Sequence, residues 1–261
     1  WGSLSFIVAN LLGGAVLAAY AGGSILVLVI LAMTLTVAAA YALPGPQPAK
    51  SATSAAAHKP IRVADLGKLA ASPWFIVLML ASGFIQASHA VYYTFSAIHW
   101  RTLGISDTWI GVLWAIGVLA EVVLFAYARL ALARIGPAGL LALGGAAAIV
   151  RWAAMAFDPA FPVLIMLQVL HALTFAATFL GTLNILQSSV PEQQAGSAQG
   201  LHAALAPGII MGSVIAIAGN IYEQFAAMSY LVMMTLAAAG LVAALVVPRL
   251  RPDSSGVDAS R

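Results

Sequence analysis

A multi-pass bundle of α-helices in a lipid bilayer, an all-α membrane protein, is the fold class this sequence predicts. Three observations predict it. Apolar residues fill 62% of the 261 positions and charged residues only 7%, against about 25% charge in a soluble chain. Mean hydropathy is +1.01. The apolar residues fall into eight runs of about 17 residues or more, the length that crosses a bilayer as a helix, and the basic residues gather in the gaps between them.

The first run, Leu4–Tyr20, ends at Gly22-Gly23, and the second, Ser24–Leu43, stops at Pro44-Gly45-Pro46. Paired glycines and a Pro-Gly-Pro triplet break helices, so residues 1–43 read as two spans joined by a minimal turn. The chain opens at Trp1, without Met and directly in an apolar run, as an incomplete chain does. Residues 44–72 form the one long polar segment, with Lys50, His58, Lys59, Arg62, Asp65 and Lys68 among Ala, Ser and Pro. This composition predicts a flexible basic linker whose second half, Ile61–Ala71, folds as a short surface helix. Six further spans are expected over residues 73–247: Pro73–Ile98, Trp109–Leu130, Pro137–Phe157, Pro162–Gln187, Ser197–Gly219 and Phe225–Val247. Residues 248–261 are left as a tail.

Orientation follows from the bias of Lys and Arg toward the cytoplasmic side. The linker carries four, the Arg129–Arg134 turn two and the tail three, while the opposite side has only Arg101. The linker and the C-terminus are therefore expected in the cytoplasm. The sequence pI of 9.4 reflects this placement and does not imply a nucleic-acid partner.

Charged groups in hydrocarbon cost at least a few kcal/mol each, so they pair or line a polar cavity. Three successive spans each carry one ionisable residue: Glu121, Arg151 and His171. Counted from the outer helix ends, Arg151 lies roughly 9 Å in, His171 roughly 13 Å and Glu121 roughly 20 Å. Arg151 and His171 are thus nearly level, and the long Arg side chain spans part of the gap toward Glu121. These three residues are read as a proton-coupling site. The competing reading has Arg151 snorkelling to the interface and Glu121 satisfying a helix contact. The span after the linker carries Ser82, Gln86, His89, Tyr93 and Ser96 at spacings of four, three, four and three, a single face. Such a stripe lines a cavity or a helix contact. Together with Tyr92, Trp114 and Gln168, it supplies the expected substrate cavity: Gln86, His89, Tyr92, Tyr93, Trp114 and Gln168. Pro207-Gly208 is expected to kink its helix, and His202 to sit at the cytoplasmic interface.

The absences are informative too. No G-x-x-x-x-G-K-[ST] phosphate loop, HExxH or GxSxG occurs, which argues against an ATPase engine or an intramembrane hydrolase. His58, His89, His99, His171 and His202 show no metal-ligand spacing, and there is no cysteine. No enzyme activity, cofactor or metal is expected.

At Ala87-Ser-His-Ala-Val-Tyr-Tyr-Thr-Phe-Ser-Ala-Ile-His-Trp100, Gly117-Val-Leu-Ala-Glu121, Gln168-Val-Leu-His171 and Ala218-Gly-Asn-Ile-Tyr-Glu223, the chain resembles the major facilitator superfamily. Within it, the resemblance is to the proton symporters of the phenylpropionate permease and lactose permease family. Trp1-Gly-Ser-Leu-Ser-Phe6 resembles the start of the fifth helix in these proteins. The resemblance implies a major facilitator fold fragment of eight transmembrane helices, two from the N-terminal half and the whole six-helix C-terminal half. About four preceding helices are then missing. It also implies a place in the cell inner membrane, and makes Glu121, Arg151 and His171 the residues that join solute recognition to proton coupling. One position departs from the pattern: Thr174 stands where lactose permeases carry a glutamate one turn after the histidine. The partners implied are a small organic solute, protons, the lipid bilayer and the missing helices. An aromatic carboxylate such as 3-phenylpropionate suits Arg151 and the aromatic wall. A sugar or nucleoside, or a non-transporting scaffold or receptor, are the alternatives.

Overall fold

The structure, a computed structural model, describes Ser5, Val8, residues 24–42 and residues 63–251. The chain forms two units, Trp1–Lys59 and Pro60–Arg261. In the first, helix α1 spans Ser24–Ala42, and Leu43, the expected end, lies outside the described residues. The expected span Leu4–Tyr20 lies outside the described residues except for Ser5 and Val8, both helical. Most of the linker and the tail beyond Arg251 lie outside them as well.

The second unit opens with the short helix α2, Val63–Ala71, which carries Asp65 in its first turn and Lys68 in its last. Both charges complement the helix dipole. The unit is all-helical among the described residues, and five of its apolar helical runs are long enough to cross a membrane: Pro73–Thr102, Asp107–Ala126, Pro137–Met155, Phe161–Ser189 and Glu192–Leu250. A proline in the first turn opens the first, third and fourth of these, where its missing N–H costs nothing.

The first run is two helices, α3 (Pro73–Ala87) and α4 (Ala90–Thr102), divided at Ser88-His89. It extends four residues beyond the expected Ile98. Helix α5 (Asp107–Ala126) ends earlier than the expected Leu130, because Tyr127 leaves helical geometry at φ −99°, ψ 17°. The segment expected as a turn around Arg129–Arg134 is instead a short helix, α6 (Ala128–Ile135). Its spacing half-buries Ala131 and Leu132 while Arg129, Leu130 and Arg134 stay exposed. Gly136, at φ +75°, then makes the sharp entry to α7 (Pro137–Met155), a conformation open to glycine at little cost.

The fourth run contains α8 (Phe161–Val169), a π-helical stretch Ala172–Ala177 and α9 (Thr178–Ser189). The fifth begins at Glu192, five residues before the expected Ser197. It holds α10 (Glu192–Ala203), a second π-helical stretch Ala204–Ile210 with Pro207 inside it, α11 (Met211–Phe225), a 3-10 turn Ala226–Met228 and α12 (Ser229–Leu250). As one rod its 59 residues would measure about 88 Å, roughly three hydrocarbon thicknesses. The chain breaks instead at Ala226, φ 45° and ψ −124°.

Helix α12 packs along both α3 and α7, and α9 packs along α7. Small residues allow these approaches. A Cβ on Gly240 would come within 2.8 Å of Ile85, and one on Gly181 within 2.5 Å of the Pro137 carbonyl oxygen.

Candidate functional site

The π-helical stretch lies directly after His171. At its start the Leu170 carbonyl accepts from both Leu173 N and Thr174 N, and the helix then widens to the π form. Such widened turns often mark functional positions. Gln168 and His171 before it and Thr174 within it all meet Arg151 of α7. Thr178 and Thr182, farther along, bond back to the carbonyls of Thr174 and Thr178 and so spend their hydroxyls on their own helix.

Arg151 is 0% exposed, so it does not snorkel. Its Nη1 donates to His171 Nδ1 at 2.9 Å and to Thr174 Oγ1 at 3.2 Å, and its Nη2 donates to Gln168 Oε1 at 3.0 Å. The guanidinium also lies 4.4 Å from the Tyr92 ring centroid and 4.8 Å from that of Trp152, a cation–π setting. Tyr92 donates its hydroxyl to Gln168 Oε1 at 2.8 Å, and Gln168 Nε2 donates to the Leu164 carbonyl.

His171 is the link between the two charges. Its Nε2 meets Glu121 Oε1 at 2.9 Å. A guanidinium can only donate, so Nδ1 accepts from Arg151; this assigns the ring proton to Nε2, facing the carboxylate. Depth counting alone leaves Glu121 well below Arg151, with water or the long Arg side chain closing the gap. In the structure an imidazole closes it. Carboxylate and guanidinium then stand roughly 8 Å apart, where opposite charges attract by about 2 kcal/mol at an effective dielectric of about 20.

His89 joins on the other side. Its Nδ1 donates to the carbonyls of Ile85 and Gln86, so its Nε2 accepts the Thr174 hydroxyl at 2.9 Å. Thr174, absent from the residues expected to act, is thereby the hinge of the network, accepting from Arg151 and donating to His89. Trp152 was likewise not singled out. Fully buried, it donates its indole N–H to Ser88 Oγ at 2.8 Å, pinning the break between α3 and α4. Its place next to Arg151 in sequence is the one signal that could have found it.

Glu121, His171, Arg151, Gln168 and Tyr92 are therefore joined by direct hydrogen bonds, and His89 through Thr174. Gln86 meets the network through its backbone carbonyl. Tyr93 and Trp114 are half-buried and stack on each other at 6.0 Å and 24°; Trp114 also lies 4.6 Å from Tyr92. Two members of the polar stripe leave this site. Ser82 Oγ bonds His202 Nε2 at 3.0 Å, so His202 is a buried inter-helix contact and not the interfacial residue expected. Ser96 lies farther along α4.

Over 169 residues the chain is 30% identical to the probable 3-phenylpropionic acid transporter of Escherichia coli (strain K12). The match covers 65% of this chain and 44% of that protein, so the chain spans under half the length of this curated relative. Residues 1–233 match the MFS_1 like family. With most of its length matched and its apolar helices bundled around buried charge, the chain belongs to the MFS_1 like family of major facilitator permeases, multi-pass membrane transport proteins.

Proposed function

We propose that this protein is a proton-coupled symporter of a small aromatic carboxylate such as 3-phenylpropionate, and that Glu121, His171 and Arg151 couple the two. The observation that carries this reading is the buried in-line set of carboxylate, imidazole and guanidinium. With Glu121 ionised, the set is electrically balanced. A proton on Glu121 alone, or a solute carboxylate beside Arg151 alone, leaves a net buried charge worth several kcal/mol. Both together restore the balance, so each favours the binding of the other, which is what symport requires. Tyr92, Tyr93 and Trp114 supply an aromatic wall beside Arg151 for the solute ring, with Gln86, His89 and Gln168 as its polar lining. The name of the relative with 30% identity supports the choice of solute.

In this reading residues 1–43 are two spans of one half and residues 73–247 the six spans of the other, joined by the basic linker of residues 44–72. Eight spans with the linker and residues 248–261 in the cytoplasm follow from the bias of Lys and Arg, in the inner membrane of the cell. Further helices of the same protein complete the solute site, because in this fold it lies between two halves that rock against each other.

The test is proton-driven uptake and counterflow exchange of 3-phenylpropionate by the native protein in vesicles. Glu121→Gln keeps the shape of the side chain and removes the titrating group. We expect it to lose uphill accumulation while keeping exchange, which needs no net proton movement. Accumulation at the wild-type level would reject Glu121 as the proton carrier.

A further inference from the structure

Among the described residues, three buried side-chain atoms find no hydrogen-bond partner in the protein: Ser96 Oγ, Arg151 Nε and the Tyr230 hydroxyl. They come from α4, α7 and α12, yet they share one region. Tyr92, Ser96 and His99 follow at spacings of four and three, so they lie on one face of α4, and all three are buried. Tyr92 belongs to the Arg151–Gln168 network. His99, about 10 Å farther along the helix, belongs to a second cluster, where its Nε2 meets Asp158 Oδ1 at 2.7 Å and its Nδ1 meets the Tyr222 hydroxyl at 2.9 Å. Ser96 stands between the two. Tyr230 does so as well, since it stacks on Trp152, the neighbour of Arg151, at 5.7 Å and follows by two residues the Phe225–Met228 turn beside His99 and Asp158.

Ser96 has a local alternative, a bond to its own helix. Thr94, on the same helix, donates to the carbonyl four residues earlier at 2.7 Å, and Ser96 does not. Buried hydroxyl and guanidinium groups left unpaired are costly, and ordered water with two to four polar partners is the ordinary remedy. The second cluster opens to the outside through a cleft of about 390 Å³ lined by His99, Asp158 and the Phe225–Met228 turn.

We propose that Ser96, Tyr230 and Arg151 Nε bind a short chain of internal water that runs from the His99–Asp158 cleft to the Arg151 guanidinium. The hydration stands apart from the transport reading. Its use as the route by which protons approach the Glu121–His171 pair rests on that reading.

Radiolytic hydroxyl-radical labelling of the purified native protein, read residue by residue by mass spectrometry, detects side chains that touch water whether or not they face bulk solvent. Tyr230 is 1% exposed and Phe75 0%, so both serve as buried aromatic reporters. We expect Tyr230 to be labelled well above Phe75. Ser96→Ala, which removes one anchor and keeps a good helix former, is expected to lower the labelling of Tyr230 in the folded protein. Labelling of Tyr230 no greater than that of Phe75 overturns the proposal, as does Ser96→Ala labelling at the wild-type level. Tyr230 labelled in a protein that takes up solute without protons would refute symport and keep the water; proton-driven uptake with Tyr230 unlabelled would refute the water and keep symport.

Discussion

Arg151 shows how a guanidinium is kept in an apolar bundle. Its terminal nitrogens reach three residues on one neighbouring helix run, and the guanidinium carbon sits over two aromatic rings. The fork geometry is what makes this possible, because an ammonium is a point charge with no plane to stack. Arg151→Lys is therefore expected to abolish uptake of 3-phenylpropionate although the charge is kept; wild-type uptake in vesicles would show that charge alone suffices. Thr174 is the second test at this scale. Thr174→Val keeps the volume and removes the hydroxyl, leaving His89 Nε2 and one Arg151 N–H without a partner. Buried orphans of this kind cost about 1–3 kcal/mol each, so the thermal midpoint in detergent should fall. An unchanged midpoint would mean that other groups take up both bonds.

Helix α11 ends on a backbone that a side chain resists. Ala226 holds φ 45° and ψ −124°, a region used almost solely by glycine, at a cost on the order of 1–3 kcal/mol. Without that break α11 and α12 would continue as one rod, and α12 could not return along α3 and α7. Ala226→Gly should keep the reversal and raise the thermal midpoint, since the relief exceeds the entropy glycine adds to the unfolded chain. A lowered midpoint would show that the Cβ contributes packing worth more than the strain. Gly181 argues the opposite case. Its Cβ would press on the Pro137 carbonyl and the Leu141 backbone, neither of which can swing aside. Gly181→Val should separate α9 from α7 and with it loosen the side chains that meet Arg151, seen as a loss of folded protein in size-exclusion chromatography.

At the scale of the whole molecule, the proposed orientation rests on the uneven spread of Lys and Arg among the segments between the apolar runs. Arg101, the one basic residue assigned to the side opposite the linker, is held at 2.6 Å by Asp107, so even this charge is locally neutralised. Arg251, at the other end, donates to the Ser188 hydroxyl at 2.8 Å. These 261 residues contain no cysteine, so a cysteine introduced here is the one thiol probe in this part of the protein. A single cysteine at Ser254 should react with an impermeant maleimide only in inside-out vesicles, and one at Ser106 only in right-side-out vesicles. The reverse pattern would overturn the proposed orientation.

The positions of the helices were legible in the sequence because hydrocarbon leaves a backbone little choice. Every N–H and C=O must bond within its own segment, so an apolar run bounded by Gly, Pro or charge is a helix with readable ends. That is why Ser24–Ala42, Pro137–Met155 and Phe161–Ser189 fall within two residues of the runs marked by composition alone. It also explains why the weakly bounded end of α5 did not: Leu130 is as apolar as the span before it, and the stop comes from the amphipathic turn that follows. Relative height was legible for one pair. Counting at about 1.5 Å per residue set Arg151 and His171 nearly level, and the two are bonded. The same count set Glu121 roughly one turn deeper than the histidine it meets. The partners were not legible. Spacing fixes which residues share a face of one helix, but the tilt and rotation of that helix against its neighbours come from packing. Only packing decided that His171 would stand between Glu121 and Arg151, that Thr174 would hold both His89 and Arg151, and that Ser82 would leave its stripe for His202. Helix existence is settled by solvent and backbone within one segment, whereas the network is settled by contacts between segments that no single run encodes.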